Sequence, residues 1–339
     1  RYFNTPNQES LSKKIAALEH AEAAMIFGSG MAAISSTMLT FLKSGDHAVI
    51  QNDIYGGTRS FIESHFKNYG IDYSFTKDLS SEAFEDCIQE NTKLIYIETP
   101  SNPLLKLVDL FAIAKLAKSH RIVTAADNTF ASPIVQNPLD LGVDIVMHSA
   151  TKYFGGHSDI SAGAVASSQE IMDKIWNLSK DFGGNLSDYT VWLLERSMKT
   201  LGIRVKAQQR NAKRLAKFLN KHTAVKSVYY PGLKTNEYHG LAKIQMKGFG
   251  AMMSFELTEE YNAEAFLKAL ELIKPSMSLA GVESTMLLPS KTSHALLSDS
   301  DRFSQGITDQ LIRFSVGIEN KSDLINDIEQ AISASHSKR

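Results

Sequence analysis

A single cysteine, Cys87, excludes an intramolecular disulfide framework and is the economy expected of a protein kept in the reducing cytoplasm. It lies in the helix-like run Glu82-Ala-Phe-Glu-Asp-Cys-Ile, so it reads as a packed structural thiol rather than a nucleophile. Charge of one sign is equally scarce. A formal net charge of −1 gives no electrostatic case for nucleic acid or an anionic membrane surface. No apolar stretch is long enough to span a bilayer, there is no signal-peptide pattern, and the eight prolines form no rigid linker. No internal repeat or low-complexity tract is present. The first residue is Arg1 rather than methionine, so the chain is expected to lack its true N-terminus.

What is there is a large soluble chain of 339 residues, 43% apolar and 22% charged, long enough for two domains. Leu11, Ile15 and Leu18 have helical spacing, which predicts a helix over 8–20. The apolar run Ala23 to Phe27 ends in Gly28-Ser29-Gly30-Met31, and a helix over 32–42 follows. A glycine turn feeding a helix start offers free backbone N–H groups to a phosphate. It is not the dinucleotide fingerprint, because the third glycine and the ribose-binding acid are missing. Strand-like runs His47 to Gln51, Asp72 to Phe75, Lys93 to Glu98 and Ile122 to Ala126 then alternate with helical stretches near 57–69, 81–89 and 109–119. That alternation implies right-handed crossovers and a mostly parallel sheet. A long helical run over 187–222 carries Trp192, Leu193, Leu194, Met198 and Leu201 on a stripe expected to be apolar, and the passage to a second domain falls within it. Strands at 227–230, 251–256 and 310–316, with helices over 262–272 and 321–335, give a smaller α+β unit.

The chemistry gathers where strands stop, which is where ligands bind in α/β sheets. The segment Asp144-Ile-Val-Met-His-Ser-Ala-Thr-Lys-Tyr-Phe-Gly-Gly-His-Ser-Asp159 is an apolar run that turns abruptly to hydroxyls, glycines and Lys152. A partly buried lysine there has a lowered pKa and a nucleophilic amine, as used on carbonyl substrates and on pyridoxal phosphate (PLP). A PLP site needs an amine, an acid at the pyridine nitrogen, a ring cover and a phosphate cradle. Lys152 supplies the first, and Asp127, directly after an apolar run, the second. Tyr55 would cover the ring. The N–H groups of Gly30 and Met31 with the hydroxyls of Ser149 and Thr151 would hold the phosphate. Arg313 has the planar fork suited to a substrate carboxylate. No metal is called for.

Six segments in one order carry a resemblance: Ser29-Gly-Met-Ala-Ala-Ile34, Asp53-Ile-Tyr-Gly-Gly-Thr58, Glu98-Thr-Pro-Ser-Asn-Pro103, Asp127-Asn-Thr-Phe130, His148-Ser-Ala-Thr-Lys-Tyr153 with Gly156-His-Ser-Asp159, and Leu311-Ile-Arg-Phe-Ser-Val-Gly317. Together they closely resemble the Cys/Met-metabolism family of PLP enzymes, whose members include cystathionine β- and γ-lyases, cystathionine γ-synthase and methionine γ-lyase. The resemblance implies an α/β fold of the aspartate-aminotransferase-like type (fold type I). It implies a large domain with a mostly parallel seven-stranded sheet and a smaller α+β C-terminal domain. The corresponding divisions are an N-terminal arm over 1–16, a PLP-binding domain over 17–200 and a small domain over 201–339. It further implies a cytoplasmic homotetramer, a dimer of dimers with shared active sites.

By position, Lys152 resembles the Schiff-base lysine, Asp127 the pyridinium partner and Tyr55 the stacking tyrosine that also moves protons. Thr129 matches a residue near the ring, while Gly30, Met31, Ser149 and Thr151 match the phosphate binders. Asn102, Ser278 and Arg313 match the group that orients the substrate α-carboxylate. Arg1 resembles the arginine that reaches the neighbouring subunit's phosphate. The chain departs from the pattern at Ala280, within a segment that is usually Ser-Leu-Gly-Gly, and at Met277, where many γ-lyases and γ-synthases carry glutamate. Gly57 stands where methionine γ-lyases typically have cysteine, which counts against that subgroup. The activity so implied is cleavage of a C–S bond by a cystathionine lyase, giving a 2-oxo acid, ammonia and a thiol. A γ-synthase joining an activated homoserine ester to cysteine is the alternative.

Overall fold

The computed structural model describes residues 3–295, 302–303 and 305–336. Twelve strands are present among them: β1 Ala23–Phe27, β2 His47–Ile50, β3 Asp72–Phe75, β4 Thr92–Glu98, β5 Val123–Asp127, β6 Ile145–His148, β7 Gly163–Ser167, β8 Val225–Tyr229, β9 Met252–Leu257, β10 Lys274–Pro275, β11 Thr285–Leu287 and β12 Leu311–Ser315. The α-helices are α1 Pro6–Glu19, α2 Gly30–Phe41, α3 Gly56–His65, α4 Ser81–Glu85, α5 Leu110–His120, α6 Gln169–Phe182, α7 Asp188–Met198, α8 Leu201–Leu219, α9 His239–Gln245, α10 Ala263–Ala269 and α11 Lys321–Ala334.

β1 to β7 form one sheet in the order β1-β7-β6-β5-β4-β2-β3. All neighbours from β6 to β3 are parallel, and β7 is antiparallel to both β6 and β1. Two reversals cancel, so β1 runs with the parallel set and its C-terminal end reaches the same sheet edge as theirs. The expected mostly parallel, seven-stranded sheet is what forms. Apolar strand residues face helices on both sides, as parallel sheets require. Ile50, Tyr96, Ala125, Ile145 and Met147 pack with Ile34, Met38 and Ile62 of α2 and α3. On the other face Val49, Ile95, Ile97 and Ala126 pack with Ile113 and Ala117 of α5, while Ala164 and Ala166 share a cluster with Leu11 and Ile15 of α1.

A second sheet, β10-β11-β12-β9-β8, is antiparallel apart from the β10–β11 pair, and α8, α10 and α11 accompany it. Asp327 of α11 accepts the N–H groups of Glu271, Leu272 and Ile273 at 2.8, 3.1 and 2.8 Å, closing the loop that follows α10.

Three expectations need correction. The helical run over 187–222 is two helices, because Lys199 and Thr200 separate α7 from α8 and Thr200 takes φ −108°, ψ 5°. Trp192 does not join the apolar stripe: it is 52% exposed and faces outward beside Tyr189, with ring centroids 5.9 Å apart. The inward stripe is Val191, Leu194 and Met198, as the 3.6-residue period dictates. Cys87 lies beyond α4, which ends at Glu85, and its half-buried thiol approaches the Phe75 carbonyl at 3.8 Å.

Candidate active site

Every strand of the parallel set ends at one edge, and the loops that follow carry the polar residues picked out in the sequence. After β1, Ser29 caps α2 by accepting the Ala32 N–H on its side-chain oxygen at 3.0 Å. Gly30 and Met31 are then the first residues of the helix, where N–H groups have no partner within the helix and the dipole end is positive. A Cβ on Gly30 would lie 2.9 Å from the Ser149 Cβ, so only glycine lets this turn lie against the β6 loop.

After β5, Asp127 is buried. Burial raises its pKa, and the hydroxyl and N–H of Thr129 draw it back, the N–H at 2.9 Å. The Thr129 oxygen also accepts the Ser149 N–H at 2.8 Å. Thr129 therefore joins the acid to the loop of the amine. The Thr151 hydroxyl donates to the Ala162 carbonyl at 3.2 Å and accepts the Ala162 N–H at 3.0 Å, so its proton is engaged within the chain. Lys152 is half-buried, and its amine is pushed below the ordinary lysine range by burial first and by Arg313 second. Its turn is held from behind. Arg204 of α8, itself buried, donates to the carbonyls of Tyr153 at 2.9 Å and Phe154 at 3.2 Å, and the Val282 N–H reaches the Gly156 carbonyl at 2.9 Å.

Tyr55 follows β2. Its N–H donates to Glu98 Oε2 at 2.7 Å, but the residue is 47% exposed, leaving an aromatic side chain open at the site. That ring lies over Gly57, where a Cβ would meet Tyr55 Cε1 at 2.4 Å. From the second sheet, Arg313 of β12 is buried and donates to Asn102 Oδ1 at 3.2 Å and to the Met277 carbonyl at 3.0 Å. Burial lowers its pKa only to about 10, so it remains a cation. The Met277 side chain points outward, 63% exposed. The Ser278 hydroxyl lies 3.3 Å from that of Ser158, which also bonds to Glu283, so Ser278 ties the second sheet's loop to the lysine loop. Ala280, where the family pattern has glycine, takes the left-handed φ of 64°. Arg1 lies outside the described residues.

The structure thus brings Lys152, Asp127, Thr129, Ser149, Gly30, Tyr55, Asn102 and Arg313 to one sheet edge. It also brings two residues that sequence reasoning gave no role. His294 is buried beside Arg313, and burial followed by that arginine lowers its pKa to about 4, so it is a neutral imidazole. Glu98, quoted above only within a motif, is a buried carboxylate between Tyr55 and Asp127. Its place at the end of an apolar run was the available signal, but a turn carboxylate looks the same. An amine of lowered basicity, a buried acid, an open aromatic face and a cradle that only glycine permits fit a phosphorylated pyridine aldehyde.

Comparison with known proteins agrees. The family model described as Cys/Met metabolism PLP-dependent enzyme matches residues 1–333. The chain is 45% identical over 328 residues to cystathionine gamma-lyase of Bacillus subtilis (strain 168), covering 96% of this chain and 86% of that protein. It is 43% identical over 334 residues to L-methionine gamma-lyase of Fusobacterium nucleatum subsp. polymorphum, covering 97% and 85%. Among solved structures, cystathionine gamma-lyase from Lactobacillus plantarum complexed with L-serine superposes with a TM-score of 0.96 at 42% identity, covering 98% of this chain and 88% of that one. The chain belongs to the Cys/Met metabolism PLP-dependent enzymes.

Proposed function

We propose that this enzyme is a cystathionine lyase: it cleaves a C–S bond of L-cystathionine, or of a close sulfur amino acid, by elimination to a thiol and an enamine that water hydrolyses to a 2-oxo acid and ammonia. The observation that carries the reading is the pairing, in one site, of a buried Arg313–Asn102 carboxylate grip with a lysine amine of depressed pKa. Bound PLP supplies the electron sink for the electrons left at the substrate Cα. The chain's own residues do the rest. Arg313 and Asn102 bind the α-carboxylate and so turn the Cα–H bond toward Lys152. The Lys152 amine would remove that proton, and the pKa that burial and Arg313 hold below the ordinary lysine range enlarges its neutral share. Asp127 would sit at the pyridine nitrogen and keep it protonated. Tyr55, half-exposed at the mouth, would give its phenolic proton to the departing sulfur and be reprotonated from solvent. Gly30 and Met31 N–H groups and the Ser149 hydroxyl would hold the phosphate, with Thr151 shaping the turn between them. Thr129 orients Asp127, and Ser278 steadies the loop that carries the grip.

An outward methionine at position 277 cannot pair with the distal amino group of cystathionine, which leaves room for smaller or more apolar substrates. The alternative reading is a γ-synthase using an activated homoserine ester and cysteine. Methionine γ-lyase is disfavoured because Gly57 stands where those enzymes typically carry cysteine. The division into an arm over 1–16, a large domain over 17–200 and a small domain over 201–339, a homotetramer whose neighbouring subunits exchange Arg1, and a cytoplasmic location complete the proposal. No helix of the described residues is long and apolar enough to cross a membrane. The test is product analysis with L-cystathionine. Pyruvate with homocysteine identifies a β-lyase, and 2-oxobutyrate with cysteine a γ-lyase. Inertness toward cystathionine together with turnover of the homoserine ester moves the assignment to a γ-synthase.

A further inference from the structure

Glu98 is a second buried carboxylate that none of these steps uses. It is the last residue of β4 and the direct partner of Asp127 across the parallel β4–β5 pair, so both side chains leave the same face of the sheet. Glu98 is 5% exposed and Asp127 6%. Two carboxylates in that relation cannot both ionise cheaply, and one keeps its proton. Their partners differ. Asp127 receives the N–H and hydroxyl of Thr129 and has the His148 imidazole near it. Glu98 receives the N–H groups of Tyr55 and Asn102 but is also faced by the carboxylates of Asp127 and Asp53, and Lys106 is paired with Asp53 at 2.7 Å. Burial pushes the Glu98 carboxyl well above the ordinary range, with Asp127 pushing it further. Its backbone is fixed as well, because Gln51 donates to the Glu98 carbonyl and accepts its N–H, both at 2.9 Å.

We propose that Glu98 is a positioning residue that stays neutral in the folded protein, anchoring the Tyr55 segment through its carboxyl oxygen and leaving the negative charge of the pair on Asp127. The proposal rests on the reading of Asp127 as the acid that meets the pyridine ring. A neutral Glu98 can be replaced by its amide without loss, since the amide oxygen still accepts the Tyr55 N–H. An ionised one cannot.

The test uses the full chain, with and without PLP, as wild type, Glu98→Gln and Glu98→Leu. A carboxyl whose pKa is raised by folding costs stability as pH climbs above its unfolded value, and glutamine removes that cost. The cofactor-free Glu98→Gln protein is therefore expected to melt above wild type, by a margin that widens from pH 5 to pH 8. Its dissociation constant for PLP should stay within about fivefold of wild type, whereas Glu98→Leu, which leaves the Tyr55 N–H unpaired, should bind PLP more than about fivefold more weakly. A margin that stays constant or shrinks with pH, or a Glu98→Gln protein that binds PLP more than about fivefold more weakly, overturns the neutral carboxyl. Glu98→Leu binding PLP as wild type does overturns the anchor. Should Glu98→Leu fail to fold, the glutamine variant decides alone. A wild type with no affinity for PLP would strike the cofactor reading itself, while the melting comparison would still report on Glu98.

Discussion

Arg313 Nη1 donates to Asn102 Oδ1 across 3.2 Å, joining residues 211 positions apart and bridging the loop after β4 to the second sheet. The remaining donors of the guanidinium fork are what a substrate carboxylate would engage. Lysine cannot reproduce that fork. Arg313→Lys is therefore expected to raise KM by roughly 10- to 100-fold while kcat falls less, as steady-state kinetics with the substrate would show.

Lys152→Ala removes the amine that both holds the cofactor and moves the Cα proton. Its kcat should fall by at least about a thousandfold, and the visible absorbance of lysine-bound PLP should vanish. The melting temperature of the cofactor-free chain should hardly move, because Lys152 is half-buried and makes no side-chain hydrogen bond in the described structure that would be lost. Absorbance of the PLP-treated protein and melting of the cofactor-free one check the two halves.

Covalent capture of PLP needs the neutral amine, and burial followed by Arg313 holds the Lys152 pKa below the ordinary lysine value. The rate of PLP uptake by the cofactor-free chain should thus rise with pH and reach half its plateau below the pH of an ordinary lysine. Replacing Arg313 with leucine removes a neighbouring positive charge, so that midpoint should move to higher pH. Stopped-flow uptake across a pH series measures it, and a midpoint that ignores Arg313 contradicts the coupling.

Thr129→Val leaves the Ser149 N–H without its acceptor and Asp127 without a hydroxyl. The expected loss is about 1–3 kcal/mol in the stability of the cofactor-free chain, read by denaturant unfolding, together with weaker PLP binding. Thr129→Ser should restore most of both.

Asp327 shows the opposite sign from Glu98. Burial works to raise its pKa, but the N–H groups of Ile273, Glu271 and Leu272 with the Gln330 amide hold it below the usual carboxylate range. Its contribution is present above the unfolded value near 4 and is lost as pH falls through its own lower pKa. Asp327→Ala should cost about 2 kcal/mol or more at neutral pH and less in acid, measured by unfolding at each pH.

The parts of this molecule that could be read in the sequence are those where one residue type has one use. Lys152, Asp127 and Tyr55 follow apolar runs, and the strand edge they share follows from the alternation of strand and helix. What escaped reading depended on contacts between distant segments. β7 is Gly-Ala-Val-Ala-Ser, too small-sided to look like a strand, yet all five residues are buried, and a Cβ on Gly163 would meet the Ser29 carbonyl at 2.1 Å. Glu98 and Asp127 become a pair only through sheet register. His294 belongs to the site only because β12 brings Arg313 to it. An aromatic in an apolar run is ordinarily core, yet Trp192 turns outward because Val191, Leu194 and Met198 take the inward face of α7 at helical spacing.

The grip of Arg204 on the Tyr153 and Phe154 carbonyls has a mechanical consequence. With the Val282 N–H on the Gly156 carbonyl, it splices the lysine turn into the framework that carries β12. The Thr129–Ser149 bond ties the same stretch to the acid after β5, so the turn that bears the amine is braced from both sheets at once. Loosening either brace would shift the amine against the acid and the carboxylate grip together.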